Sequence, residues 1–491
     1  MAVMRHHPHL YEISAWPWLE RLSRRADRQV TLGDVPGAEW DRLASDGFDI
    51  VYLMGVWKRS GVGRLMARTD PARLGEYDRV LPGWSMRDVP GSPYSIQAYE
   101  PDARMGGWEG LDRARDALRQ RGLSLFLDFV PNHTGFDHEW VASRPELYVE
   151  GTLDDYRRAP GNFHPVDAGD AVHFIACGRD PFFEPWHDVA QLNYFNPDTR
   201  EAMIGVLQTI AQHADGVRCD MAMLMVNDVF QQTWGSTVDV LWRAPAEEFW
   251  PAAIRRVPQL RYLAEVYWDR EWQLQQQGFT YTYDKRLLER LHQGSASGVR
   301  GHLQADPSFS AKLARFLENH DEARAAATFG SRLPAAAAIA LTAPGLRFYY
   351  EGQLEGAEIK SPVQLGHWPE EQVRPDVRDL YDRILRATNR PLFHEGTWEL
   401  LGVYGAGDTT YDDLVAFSWR KGSEHAVVAA NASSHEAQGL VQLGALPHAA
   451  AFSFTDQLSD HRYRWSRDDL QDGLYVRLAS GAAHVLLVEQ A

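Results

Sequence analysis

Short runs of β-branched and aromatic residues alternate with longer amphipathic segments along most of this chain. That rhythm is the signature of βα units wound around a parallel sheet. Candidate strands fall at 9–14, 49–55, 123–129, 216–220, 261–266, 315–319 and 345–350, and an eighth is expected near 279–283. Helical patterns lie between them at 110–121, 200–214, 284–292 and 333–341. No Gly-rich phosphate turn follows any of the strands, which favours an eight-stranded (β/α)8 barrel over an open doubly wound sheet.

With 491 residues the chain exceeds one barrel and calls for additional domains. The interval 134–198 is rich in Pro, Gly, Asp and aromatics and shows no period. An excursion of that length inside a compact domain reads as an insertion domain after the third strand. Beyond about residue 390 the texture turns to alternating segments separated by polar turns, the pattern of an antiparallel β-sandwich. The expected division is a barrel over 1–133 and 199–392, an insertion domain over 134–198 and a C-terminal β-sandwich over 393–491.

The composition narrows the partners. A net charge of −17 without a compensating Lys/Arg block repels phosphate backbones and anionic membranes, so neither nucleic acid nor a membrane is expected. No apolar stretch reaches the length of a membrane span. Residues 1–10 carry no signal-peptide core, and a cytoplasmic location is expected. Cys177 and Cys219 are the only cysteines, too few for a disulfide framework and not spaced for a metal. His6, His7 and His9 offer either a metal-binding tract or, like most terminal histidines, a solvated one. Asn431-Ala-Ser fits the glycosylation sequon. The sequence carries no signature of oligomeric state.

Polar residues bunch where the apolar strands end, and in a barrel the C-terminal strand ends are where catalytic groups converge. Asp128, Asn132 and His133 follow the third strand; Arg218 and Asp220 close the fourth; Glu265 follows Ala264; Asn319, His320 and Asp321 follow Leu317. The segments LDFVPNH (127–133), DGVRCDMAM (215–223), AEVYW (264–268) and FLENHD (316–321) resemble, in order, the four sequence regions of the alpha-amylase family of retaining glycoside hydrolases. The resemblance spans roughly residues 9–490. It implies Asp220 as nucleophile, Glu265 as acid/base and Asp321 as the third carboxylate, which grips sugar hydroxyls. It further implies that Arg218 orients the nucleophile, that His133 and His320 surround the sugar at the cleavage point, and that Tyr94, in GSPYSIQAY, stacks on it. Asp128 and Asn132 resemble the family's structural residues beneath the site.

The chemistry agrees with that resemblance. Double displacement at a glycoside needs an ionised carboxylate below the anomeric carbon and a protonated one beside the leaving oxygen, ~5–5.5 Å apart. Residues i and i+2 of a strand share a face, so Arg218 is expected to hold Asp220 ionised. The apolar neighbours Val266, Tyr267 and Trp268 favour a protonated Glu265. Asp321 completes the catalytic set. Trp57, Trp84, Trp186, Trp268 and Trp272 are candidates for lining sugar subsites.

Two positions depart from the starch-cleaving pattern. A lysine and a histidine that serve leaving-group subsites and a calcium site in many members are replaced here by Met223 and Leu224. A structural calcium is therefore possible but unsupported, and no cofactor is required for the chemistry. The expected substrate is a small carbohydrate, a short α-glucoside or α-glucooligosaccharide. The same residues would serve an α-glucan transglycosylase or a disaccharide isomerase, and a catalytically inactive sugar-binding scaffold is the alternative from another class. The excursion at 58–89, with Trp84, is expected to narrow the pocket and favour exo action.

Overall fold

A computed structural model describes residues 4–169, 171–238, 242–444, 446 and 449–490. Eight parallel strands close into a barrel: β1 (His9–Ser14), β2 (Ile50–Met54), β3 (Ser124–Phe129), β4 (Gly216–Cys219), β5 (Arg261–Ala264), β6 (Tyr281–Tyr283), β7 (Leu313–Arg315) and β8 (Leu346–Tyr350), each paired with its neighbours in sequence and β8 with β1. Every residue of β1, β2, β3 and β8 is buried, as expected of strands covered by side chains within and helices without.

The seventh strand is the one misplaced by sequence. Pairing of Thr282 with Leu313 and of Arg315 with Arg347 fixes β7 at 313–315 instead of 315–319. The chain leaves the barrel at Phe316, so Asn319, His320 and Asp321 stand on a loop above the strand end.

The helices follow from local signals. Lys285–Gln293 starts where the Asp284 side chain accepts from the Leu287 amide, ends at left-handed Gly294, and buries Leu287, Leu288 and Leu291. Each such side chain contributes roughly 1.5–3 kcal/mol on burial. Pro197–His213 has Asn196 as its cap, proline in its first turn, and Met203, Ile204, Leu207 and Ile210 facing the barrel. Leu333–Thr342 differs from both. Its sequence LPAAAAIALT is buried at every position but Pro334, and the Trp419 indole of the C-terminal region donates to the Thr342 carbonyl at 2.7 Å.

After β2 the chain makes a two-stranded antiparallel pair, Trp57–Arg59 with Ile96–Pro101, around helices Gly61–Thr69 and Pro71–Val80. After β3 the aperiodic interval folds as a five-stranded antiparallel sheet, ordered His133–Gly135, Trp186–Gln191, Val172–Gly178, Glu150–Gly151, with Phe163–Asp167 also paired to Val172–Gly178. One pairing shifts register between Trp186 and Ala190, and Val172–Gly178 passes from exposed to buried along its length instead of alternating, so the period of two that marks a strand in sequence is lost. From Thr397 onward two antiparallel sheets of six and three strands face each other across Leu414, Val427, Phe452, Leu474 and Val476.

Three local readings resolve differently from the sequence. His9 is fully buried and His7 partly so, beneath the barrel beside Arg347 and His394. There the His7 ring accepts from the Gly345 amide and the His9 ring contacts the Gly47 carbonyl; neither is solvated. Asn431 is fully buried, its side-chain amide donating to the carbonyls of His435, Leu478 and Ala479, so the sequon is closed to modification in the folded chain. Trp57 is core, with its indole bonded to the Asp128 carbonyl. No helix among the described residues is long and apolar enough to cross a membrane.

His425 lies within the six-stranded sheet, buried, with neither ring nitrogen hydrogen-bonded among the described residues. Burial, aided by Arg420, lowers its pKa to about 4. The folded state keeps this ring neutral while the unfolded chain takes up a proton below pH ~6.5, so His425 subtracts stability as pH falls through that window. His425→Leu is expected to raise stability by about 2 kcal/mol more at pH ~5 than at pH ~8, measured by urea unfolding at both.

Candidate active site

At the C-terminal end of the barrel the backbones of β3, β4 and β5 are laced together beyond their last paired residues. The Asp220 amide donates to the Phe129 carbonyl at 2.9 Å, the Glu265 amide to Cys219 at 3.0 Å, and the Ala222 amide to the Glu265 carbonyl at 2.9 Å. Those bonds set Asp220 and Glu265 side by side. Met221 between them takes a left-handed conformation with φ 43°, an arrangement that costs a non-glycine residue of order 1–3 kcal/mol. It turns the Met221 amide onto Glu265 Oε2, at 2.7 Å, while the Tyr267 hydroxyl donates to Glu265 Oε1 at 2.8 Å.

Arg218 is the centre of the group. It is fully buried, and its guanidinium reaches Asp220 Oδ1 at 2.6 Å, Glu265 Oε2 at 2.9 Å and Asp321 Oδ2 at 3.7 Å. The rings of Tyr94 and Tyr283 flank it at 5.3 and 5.7 Å. One cation thus serves three carboxylates, and this alters the electrostatics expected from the sequence. Burial, reinforced by Glu265 and Asp321, pushes Asp220 up to about 7 against the pull of Arg218. Arg218 alone does not hold Asp220 at an ordinary carboxylate value.

Asp321 stands apart in character. Its side chain is 45 % exposed to the cleft. Although desolvation opposes ionisation, His320, Arg218 and Lys360 outweigh it and hold Asp321 well below the usual carboxylate range. His320 Nε2 lies 2.9 Å from Asp321 Oδ2 and 2.6 Å from the Tyr94 hydroxyl, and the Tyr94 and His320 rings stack at 5.4 Å. His133 packs edge-on against Trp186, and burial lowers its pKa to about 4, leaving it a neutral partner.

Beneath these residues Asp128 accepts from the Tyr52 hydroxyl and from the Gly55 amide, tying β2 to β3. The Asn132 and Gln191 side chains bond each other, anchoring the insertion sheet to the barrel.

Arg218, Asp220, Glu265, Asp321, His320 and Tyr94 therefore form one contiguous cluster, with His133 on its wall. Reasoning from sequence missed Glu12, whose Oε1 lies 2.5 Å from His320 Nδ1, and gave Tyr267 no bond to Glu265. Glu12 carried the available signal, a charged residue near the end of an apolar barrel strand. Of the tryptophans proposed for subsites, Trp186 and Trp268 border the site, Trp84 bonds Asp78 and packs on Tyr77 within the excursion, and Trp272 packs on Phe309. Met223 and Leu224 are buried apolar residues, and no cluster of three His, Cys, Asp or Glu side chains suited to a metal occurs among the described residues.

Over its whole length the chain superposes on the noncanonic maltogenic alpha-amylase AmyB from Thermotoga neapolitana, with a TM-score of 0.70 at 17 % identity and 99 % of each chain covered. The chain has the alpha-amylase fold. An alpha-amylase from Geobacillus thermoleovorans, solved in complex with acarbose, shares the alpha-amylase fold at a TM-score of 0.67 and 18 % identity, again over 99 % of each chain. No family model matches the sequence. Among curated relatives, alpha-amylase 3 of Dictyoglomus thermophilum is 23 % identical over 284 residues, 54 % of this chain and 53 % of that protein. An alpha-glucosidase of Schizosaccharomyces pombe is 28 % identical over 151 residues, 28 % of this chain and 26 % of that one. The chain thus spans about half the length, or less, of these relatives.

A raised carboxylate pKa costs stability wherever that carboxylate is forced to ionise. For Asp220 the cost is absent below the unfolded value near pH ~4, grows as pH rises, and is complete above about 7. Asp220→Asn keeps an oxygen for Arg218 and removes the charge. It is expected to melt at a higher temperature than the parent above pH ~7, with the gain fading toward pH ~4, followed by thermal denaturation across that range.

Proposed function

We propose that this protein is a retaining α-glycoside hydrolase acting on short α-glucosides or α-glucooligosaccharides through a covalent glycosyl-enzyme. The observation that carries the proposal is the single guanidinium of Arg218 shared by Asp220, Glu265 and Asp321. Double displacement needs two carboxylates close together, one ionised as nucleophile and one protonated as acid, and that guanidinium brings Asp220 and Glu265 to one point. The alpha-amylase and alpha-glucosidase names of its relatives agree with this chemistry.

In this reading Asp220 attacks the anomeric carbon while Arg218 fixes its Oδ1. Glu265, steered by the Tyr267 hydroxyl and the Met221 amide, gives its proton to the leaving oxygen. It then takes one from the water that hydrolyses the glycosyl-enzyme. Asp321, ionised beside His320, accepts from sugar hydroxyls, and Tyr94 and His133 line the ring's pocket. No cofactor enters any step.

A specific observation favours transfer to a sugar acceptor as the second reading. On the Glu265 side of the cleft Phe182 and Phe183 are 60 % and 71 % exposed. Their amides are pinned by Asp180 Oδ1, and the Phe182 ring meets Trp268 at 4.9 Å. Fixed aromatic faces beside the acid suit the apolar face of an incoming sugar, which competes with water for the glycosyl-enzyme.

Purified protein incubated with maltose, isomaltose, trehalose, sucrose, kojibiose, nigerose and maltohexaose is expected to convert at least one of them, with the α-anomer formed first by NMR. Asp220→Asn and Glu265→Gln should each lose at least about a thousandfold in kcat/KM on that sugar. Products longer than the substrate at high concentration would identify transfer. Undiminished activity in Asp220→Asn would remove the proposed nucleophile.

A further inference from the structure

One buried carboxylate at the site has no task in the reaction just described. Glu12, in β1, is fully buried with its Oε1 2.5 Å from His320 Nδ1. Its Oε2 is buried without a hydrogen-bond partner among the described residues, and His320 is the only group of opposite charge within ion-pair distance of it among them. On the opposite side of the ring, Nε2 lies 2.9 Å from Asp321 Oδ2. An imidazole whose two nitrogens both face carboxylate oxygens needs a proton on each, since a neutral ring would set a lone pair against one of them.

We propose that Glu12 is a positioning residue: as the buried counter-ion of His320 it keeps that imidazole doubly protonated and fixed in plane, so that His320 and Asp321 hold the sugar hydroxyls as one rigid unit. The role in sugar binding rests on the function proposed above; the pairing of Glu12 with His320 does not.

The surroundings make Glu12 necessary for that state. Tyr94 reaches Nε2 from the segment after β2, and Asp321 does so from the loop that carries His320. From β4, Arg218 lies 3.7 Å from Asp321, and Lys360, beyond β8, donates to the Asp321 carbonyl. Both are cations, and both work against a positive charge on the ring. Asp128 feels the His320 charge from β3, while Tyr52, Tyr283, Tyr350 and Glu318 lie within range of Glu12 itself. Among the described residues only Glu12 supplies a negative charge at Nδ1. Burial disfavours the imidazolium, but Asp321 and Glu12 together reverse that cost and hold His320 well above its ordinary value.

Glu12→Gln retains a carbonyl oxygen for the Nδ1 proton and removes only the charge. In the free, ring-labelled protein, NMR is expected to show His320 doubly protonated throughout the neutral range in the parent and losing its Nε2 proton within that range in Glu12→Gln, with His320→Gln giving the assignment. For the sugar that the parent cleaves, kcat/KM should keep most of its acid-side value and fall on the basic side at a pH lower by at least about one unit. A parent ring that deprotonates near pH ~6.5, the value of an unperturbed histidine, would overturn the proposal without any change at Glu12. So would a Glu12→Gln protein whose ring titrates as the parent's does, or whose kcat/KM drops by one factor at every pH. If the parent cleaves no α-glucoside, the reaction is wrong, and the ring titration still decides the pairing.

Discussion

The guanidinium of Arg218 is the element around which the upper end of the barrel is arranged. A fully buried cation must find its charge compensation within the protein, since none comes from water. Here the compensation comes from three acids, Asp220 and Glu265 just beyond two strand ends and Asp321 on the loop after a third. That requirement ties β4, β5 and the loop after β7 to one point and draws the rings of Tyr94 and Tyr283 over the same group. It also leaves the acids with less positive charge than they need. Burial, with Glu265 and Asp321 close by, raises Asp220, while the His320 imidazolium on the other flank outweighs burial and lowers Asp321. Neighbouring carboxylates thus acquire opposite tendencies from one short stretch of buried charge.

The barrel separates two kinds of buried polarity. At its lower end Arg347 donates to the carbonyls of His7 and Phe393, and Arg315 donates to the Pro344 carbonyl and pairs with Asp284. These groups close backbone ends and hold the segment around His7 against the barrel floor. At the upper end the acids face a cleft, and part of their hydrogen-bonding capacity points into it. Stability and chemistry thus occupy opposite ends of the same strands, as the direction of parallel strands in such a barrel dictates.

Much of this architecture is legible in the sequence, because barrel strands buried on both sides are written as uninterrupted apolar runs and the acids sit just beyond them. The runs ending at Phe129, Cys219 and Ala264 show both features, and their positions stand within a residue or two. The run at 316–319 looked equally strand-like, yet hydrogen-bonded register with β6 and β8, a property of the closed sheet, placed the strand earlier. The insertion sheet was illegible for a local reason: one pairing is bulged and the long strand Val172–Gly178 is exposed at one end and buried at the other, so no period of two survives. Trp57 shows the limit of composition, since an indole bonded under the site and one lining it look alike in sequence. The sharing of Arg218 among three acids was likewise invisible, because it depends on distances between strand ends that are far apart along the chain.

Helix Leu333–Thr342 bears on what can be regarded as an independent part of this molecule. A helix on the outside of a barrel ordinarily keeps a wet face, but this one has none: alanines and aliphatics surround it, and Trp419 from the C-terminal sheet is bonded to its last carbonyl. Its outer side is dry only because the sandwich covers it. Severing the chain after the barrel would lay open an uncharged apolar strip of almost three turns, a surface prone to self-association. The sandwich is therefore the outer layer of this part of the barrel, and the smallest piece of this protein that keeps the helix covered is larger than the barrel.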